Sequence, residues 1–202
     1  MLKLSDITKS FGERCVLSGV SLSLEKGDVA VLSGISGGGK TTLLRIAAGL
    51  EKADSGFVEK DGTVAVVFAE ARLFPSVSVL ENVTCVMRGD KRENVKRAEK
   101  LLSMLGLSDA KDLYPREISS GMAARVSIAR ALAYDADIYL LDEPLKSLDE
   151  ALKMQVMQDL KEFFKTKAVL IISHDEAEAE MLATVRYRLC DSVLMKIEKD
   201  EP

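Results

Sequence analysis

The chain has 202 residues, 47% of them hydrophobic, enough to fill the core of one α/β domain. Its net charge of −4 and sequence pI of about 5.3 argue against a free-standing nucleic-acid binder. No apolar run reaches the ~18 residues of a membrane span, and the first residues, MLKLSDITKS, lack the apolar stretch of a signal peptide. Cys15, Cys85 and Cys190 are odd in number, far apart and not in metal-ligand spacing, so they read as reduced packing residues.

In chain order, residues 2–9 (LKLSDITK) and 16–24 (VLSGVSLSL) alternate in part and predict antiparallel strands around a turn at Gly12. Phe11 is an aromatic at that turn, either a small edge contact or a surface on which an adenine could stack. Glu25 to Asp28 reads as a turn feeding a buried strand, Val29 to Ser33, which ends at Gly34. Glycines follow at 37, 38 and 39. Lys40-Thr41-Thr42 then opens an amphipathic run, Leu43 to Ala48, stopped by Gly49.

This stretch fits G-x-x-x-x-G-K-[ST] in the setting that motif requires, after a strand and before a helix. A triphosphate accounts for each part. Glycines bring backbone N–H groups close to phosphate oxygens, and the helix start adds unpaired donors and the positive end of its dipole. Gly34, Ile35, Ser36, Gly37, Gly38, Gly39, Lys40, Thr41 and Thr42 are therefore the candidate ATP-binding residues. Lys40 would neutralise the β- and γ-phosphates, and the Thr41 hydroxyl would ligate Mg²⁺. A glycine-rich turn beside a surface lysine is the plain alternative, and the flanking strand and helix make it the weaker one.

Past Gly49, the run FVEK-DG-TVAVVF (57–68) predicts a hairpin with a type I′ Asp-Gly turn. Residues 69–132 change character and read as mainly helical. One helix runs from about Val77 to Met87. A second runs from Glu93 to Leu105, with Val95, Ala98, Leu101, Leu102 and Leu105 on one face and Gly106 past its end. Ser119 or Ser120 caps a third that continues to about Leu132. Three helices between strands predict a separate helical lobe.

From 137 the α/β pattern resumes. Asp137 to Leu141 is a buried strand ending in Asp142-Glu143-Pro144, and Leu148, Leu152, Val156, Leu160 and Phe163 mark the inner face of the next helix. Ala168 to Ile172 is another buried strand, ending at Ser173-His174-Asp175. A short helix (Glu176 to Leu182) and two short strands around Asp191 follow. Strands of a doubly wound sheet present their carboxyl ends along one edge, where ligands bind, and the phosphate loop, Asp142-Glu143 and His174 all fall at such ends. Asp142 would hold Mg²⁺ opposite Thr41, and Glu143 is suited to polarise an attacking water. An Asp-Glu pair after an apolar strand is weak evidence alone. After a phosphate loop at this separation it is strong.

Over essentially its whole length the chain resembles the ATPase subunits of ABC transporters. The resemblance rests on ordered motifs: GISGGGKT (34–41) as Walker A, ISSGM (118–122) as the signature, IYLLDEP (138–144) as Walker B, KSLD (146–149) as the D-loop and His174 as the switch histidine. It implies the P-loop NTPase fold of that family, α/β with a mainly parallel core sheet, a small N-terminal antiparallel β subdomain and an inserted helical lobe. It implies one ABC ATPase domain over 1–202: antiparallel elements and Walker A in 1–68, the helical lobe with the signature in 69–132, and Walker B, D-loop and switch histidine in 133–202. ATP and Mg²⁺ are the implied cofactors, with Phe11 stacking on adenine, Thr41 and Asp142 on the metal, and Glu143 and His174 catalytic.

The implied partners are a second ATPase subunit, docked head to tail, and integral membrane permease subunits, with no nucleic acid. Ser119, Ser120, Gly121 and Met122 would meet the ATP of the other subunit, beside Asp149 of the D-loop. The place implied is cytoplasmic, peripheral at the inner face of the membrane through the permease. The segment ARLFPSVSVLENV (71–83) is similar to that of bacterial importers, most like the nitrate, sulfonate and taurine group, with Leu73, Phe74, Val77 and Val79 either on a docking face or, for Val79 and Leu80 above all, packing the helical lobe.

The sequence departs from the family pattern at Ala69, where a glutamine is usual, with Glu70 adjacent. Ser120 and Met122 alter the signature, and Lys146 stands at a D-loop position that is normally small. Lys40, Thr41, Asp142, Glu143 and His174 remain and predict hydrolysis. The segment between Walker A and residue 69 is short for the family and predicts a reduced antiparallel subdomain. A non-transport ABC ATPase would carry long insertions or tandem domains, and a P-loop kinase would lack ISSGM before LLDEP. A binding-only regulatory subunit is favoured by Ala69 and the altered signature, and opposed by Glu143 and His174.

Overall fold

The computed structural model describes residues 1–197. Two alternating strands, β1 (Leu2–Phe11) and β2 (Arg14–Leu24), pair antiparallel around Gly12, as their pattern predicts. β3 (Val29–Gly34) leads into α1 (Lys40–Ala48), which ends where Gly49 takes a left-handed φ of 81° and its N–H closes on Arg45 and Ile46. β4 (Ser55–Lys60) and β5 (Val64–Val67) follow.

Residues 57–68 do not form the predicted hairpin. β4 pairs antiparallel with β1, while β5 enters the main sheet parallel to a later strand. The side chains explain the split. β4 is almost wholly exposed and suits the edge of a small sheet, whereas VAVV is apolar on both faces and suits the interior of a parallel one. Between them Asp61 N–H donates to the Met1 carbonyl, and the Asp137 carboxylate accepts from both N–H and hydroxyl of Thr63.

The helical stretch holds α2 (Val79–Thr84), α3 (Lys91–Met104) and α4 (Ser120–Tyr134). Side-chain caps set their starts. Ser78 and Glu81 form a reciprocal capping box, so α2 begins later than Val77 and is shorter than predicted. Asp90 starts α3 two residues before Glu93, and Ser119, not Ser120, caps α4. β6 (Ile138–Asp142), α5 (Glu150–Phe164), β7 (Ala168–Ile172), α6 (Glu176–Leu182), β8 (Val185–Cys190) and β9 (Val193–Ile197) complete the described chain.

The main sheet has the order β5-β6-β7-β3-β8-β9, parallel except for the β8–β9 pair, and the small sheet the order β2-β1-β4. Alternate residues of the central strands go to two cores. Val31, Leu141 and Ile171 face the layer of α2 to α6, and Leu32, Leu140 and Ile172 face α1 and the small sheet. The buried stripe of α5 is Val156, Met157, Leu160 and Phe164, with Phe163 only partly buried, a rotation of one residue from the predicted face. The cysteines are not packing residues: all are free, Cys15 and Cys85 are exposed and Cys190 is partly so. Among the described residues no helix is long and apolar enough to cross a membrane.

Candidate active site

The loop between β3 and α1 has no room for side chains at its ends. A Cβ on Gly34 (φ 143°) would lie 2.4 Å from the Leu189 carbonyl, and one on Gly39 (φ 100°) 2.5 Å from that of Val16. Lys40 is buried, and its ammonium bridges the loop, donating to the Gly34 and Ile35 carbonyls at 2.8 Å each. Burial lowers the Lys40 pKa from its ordinary value, against the pull of Glu143 and Asp142. α1 also differs from the helices α2 to α6. Each of those has a Ser or Asp side chain accepting from its first turn, whereas the Gly39 cap of α1 offers none.

Two carboxylates follow at the end of β6. Asp142 is buried and its Oδ2 accepts the Thr41 hydroxyl at 2.8 Å. Burial raises the Asp142 pKa and the Thr41 bond opposes it, so a cation bound there would stabilise the ionised form. Glu143 has a left-handed φ of 48°, a conformation costing about 1–3 kcal/mol for a residue with a side chain. Its N–H donates to the Ile172 carbonyl at 2.9 Å, which ties it to β7. One carboxylate oxygen lies 3.2 Å from His174 Nε2 and the other 3.2 Å from Lys146 Nζ.

These groups meet in an open cleft of about 500 Å³, lined among others by Ser36, Gly37, Lys40, Thr41, Asp142, Glu143 and His174. On the other side of the loop a second cleft of about 300 Å³ runs from Phe11 and Arg14 to Gly39, Lys40, Thr41 and Thr42. Phe11 is 51% exposed there, and Arg14 donates to the Gly37 carbonyl at 3.0 Å. The loop therefore separates an exposed aromatic ring from a pair of carboxylates. Residues 17–146 match the family model described as ABC transporter.

The chain belongs to the ABC transporter family.

Its relatives include an aliphatic sulfonates import ATP-binding protein of Rhodococcus jostii (strain RHA1), 43% identical over 187 residues, covering 90% of this chain and 68% of that protein. The protein of the same description from Corynebacterium glutamicum is 41% identical over 182 residues, 88% of this chain and 75% of the relative. Among solved structures, a dimeric ATP-binding cassette in a post-hydrolysis state with ADP and Pi superposes with a TM-score of 0.89 at 30% identity, over 98% of this chain and 100% of that one. The chain is an ATP-binding ABC subunit and an ATPase.

Most of the residues singled out in this ABC subunit come together. Ser120 and Gly121 line the main cleft with the Walker A loop, and so does Ala69, whereas Glu70 does not. Ser119 holds its hydroxyl against the Met122 N–H at 3.2 Å, and Met122 packs partly into the core, not the cleft. Asp149 Oδ1 accepts from the Leu152 N–H at 3.0 Å and so caps α5. On the surface around 72–82, Phe74 is exposed but Val79 is fully buried, which removes it from the expected docking face. Thr41 and Asp142 present the hard oxygen donors that Mg²⁺ takes. Two such groups side by side suit an ion that takes its remaining ligands from phosphates and water.

The sequence reading missed a buried ion network behind His174. Lys153 of α5 pairs with Asp175 and, at 3.0 Å, with Glu178, and Asp175 also caps α6. It fixes the turn that carries His174. The available signal was a lysine beside the apolar stripe of α5. The structure also adds Arg14, and it gives Lys146 a partner, Glu143.

Proposed function

We propose that the chain binds ATP along the loop between β3 and α1 and hydrolyses it with Glu143, powering an importer of sulfonate-like organic anions. The observation that carries the reading is the placement of the Glu143 carboxylate, paired with His174, in the same cleft as Lys40 and the Thr41–Asp142 pair. Phe11 stacks on the adenine. The N–H groups of residues 37–42 and the Lys40 ammonium hold the phosphates. Thr41 and Asp142 would hold Mg²⁺, which when bound would neutralise charge on the phosphates. Glu143 orients a water and accepts its proton as the oxygen attacks the γ-phosphorus and the bond to the β-phosphate oxygen breaks. His174 contacts the γ-phosphate and keeps the carboxylate in place.

Two copies associate head to tail, each signature (Ser119 to Met122) closing on the ATP of the other, with Asp149 beside the joint. Residues 1–202 act as one ABC ATPase domain with 69–132 as its helical lobe. The exposed ring of Phe74 and its neighbours meet the permease, which holds the subunit at the inner face of the membrane. The sulfonate class is supported by relatives at about 40% identity over most of the chain.

Glu143→Gln tests the reading. The amide keeps the shape but is no base, so ATP binding should persist while turnover falls by about 10²–10⁴, and the ATP-bound dimer should accumulate on size exclusion. Turnover near that of the parent would overturn it.

A further inference from the structure

We propose that Lys146 is a positioning residue that restrains the Glu143 carboxylate and thereby sets the basal rate of hydrolysis, an inference that rests on Glu143 being the base. The two carboxylate oxygens have different partners. Oε1 faces His174, brought from the end of β7, and Oε2 faces the Lys146 ammonium from the turn just after Glu143 itself. That turn is anchored: Leu145 is buried, and the Leu148 N–H donates back to the Leu145 carbonyl at 3.2 Å. The Lys146 side chain is 78% exposed and the Glu143 side chain 20%, so a solvated cation holds a partly buried carboxylate from the open side.

A carboxylate held on both oxygens turns less freely toward a water whose proton it is to take, although each oxygen keeps a second lone pair. His174 sits on a turn fixed by the Lys153–Asp175–Glu178 network, so Lys146 is the contact that yields. The pair is local, formed within one turn of one chain, and needs no partner. An exposed pair is weak, so the restraint slows the reaction and does not block it. Lys146 also lines the main cleft, with Ser147 beside Gly121.

The test is steady-state hydrolysis by the full chain. Lys146→Ala should raise kcat by about two- to fivefold, the factor for releasing one exposed ion pair, with KM for ATP unchanged. Lys146→Arg keeps the cation and should bring the rate back toward that of the parent. The ratio of Lys146→Ala to parent should fall toward one near 1 M salt, where the Debye length is about 3 Å. In nucleotide-free protein, acylation of Lys146 by an amine-directed reagent, read by mass spectrometry, should be faster in Glu143→Gln than in the parent. A kcat for Lys146→Ala equal to or below the parent's would overturn the restraint, as would a severalfold rise in KM, the signature of a phosphate ligand. If Glu143→Gln hydrolyses ATP normally, the base assignment itself fails. If it is inactive while Lys146→Ala is unchanged, only the restraint fails.

Discussion

Two helix starts border the same cleft, and they are finished differently. α1 begins at a glycine with no side-chain acceptor, in a loop where Cβ atoms do not fit at Gly34 or Gly39, with a buried lysine as its first residue. α4 begins at Ser119, whose hydroxyl already accepts from Met122, and its next residue is exposed. Both present the positive end of a helix dipole. The first-turn N–H groups of α1 have no side-chain acceptor, whereas those of α4 already have one in Ser119. Under the proposed function, affinity of the single chain for nucleotide would reside at α1, and closure between chains at α4.

Substitutions at the two starts break or sharpen that contrast. The largest effect is expected for Lys40→Ala. A charged hydrogen bond contributes about 1.5–3 kcal/mol, so calorimetry should show ATP affinity lower by about tenfold or more. Affinity close to that of the parent would mean that α1 is no receptor. Phe11→Ala comes next, across the loop in the second cleft. Loss of base stacking should weaken ATP by about 1–3 kcal/mol while leaving the melting temperature of this half-exposed site nearly unchanged. Ser119→Ala is the smallest and the most discriminating. Losing the cap should cost about 1 kcal/mol of stability, about 2–4 °C in Tm for a chain of this size, and single-chain ATP affinity should move less than for Phe11→Ala. A loss of affinity as large as that of Lys40→Ala would erase the difference between the two starts.

The parts legible in the sequence are those where local chemistry decides. β3, β6 and β7 are continuous apolar runs, and α1 sits between a glycine loop and Gly49. What escaped depends on distant groups. Residues 57–68 look like a hairpin because nothing nearby shows that Asp137, 74 residues on, fastens Thr63 and turns VAVV into the parallel sheet. The stripe of α5 is rotated because Lys153 is drawn inward by Asp175 and Glu178, which belong to α6 and its cap. Glu143 and Lys146 are three apart, but in a turn between strand and helix, where helical spacing rules do not apply. The lysine was visible as an oddity, and only the fold supplied its partner.

The core beneath the helical stretch has a mechanical consequence. Val79 and Val83 of α2, Val126 and Ile128 of α4, and Leu141 just before Asp142 belong to one continuous cluster with Val31 of β3. The buried Asn82 side chain rivets the preceding loop to α2, accepting from the Phe74 N–H at 2.8 Å and donating to the Phe74, Val77 and Ser78 carbonyls. Interiors packed like organic crystals compress little, so a displacement on the Phe74 side of α2 would be passed on through touching side chains. One packed core therefore runs from the outer helical surface to the strand that carries the carboxylates.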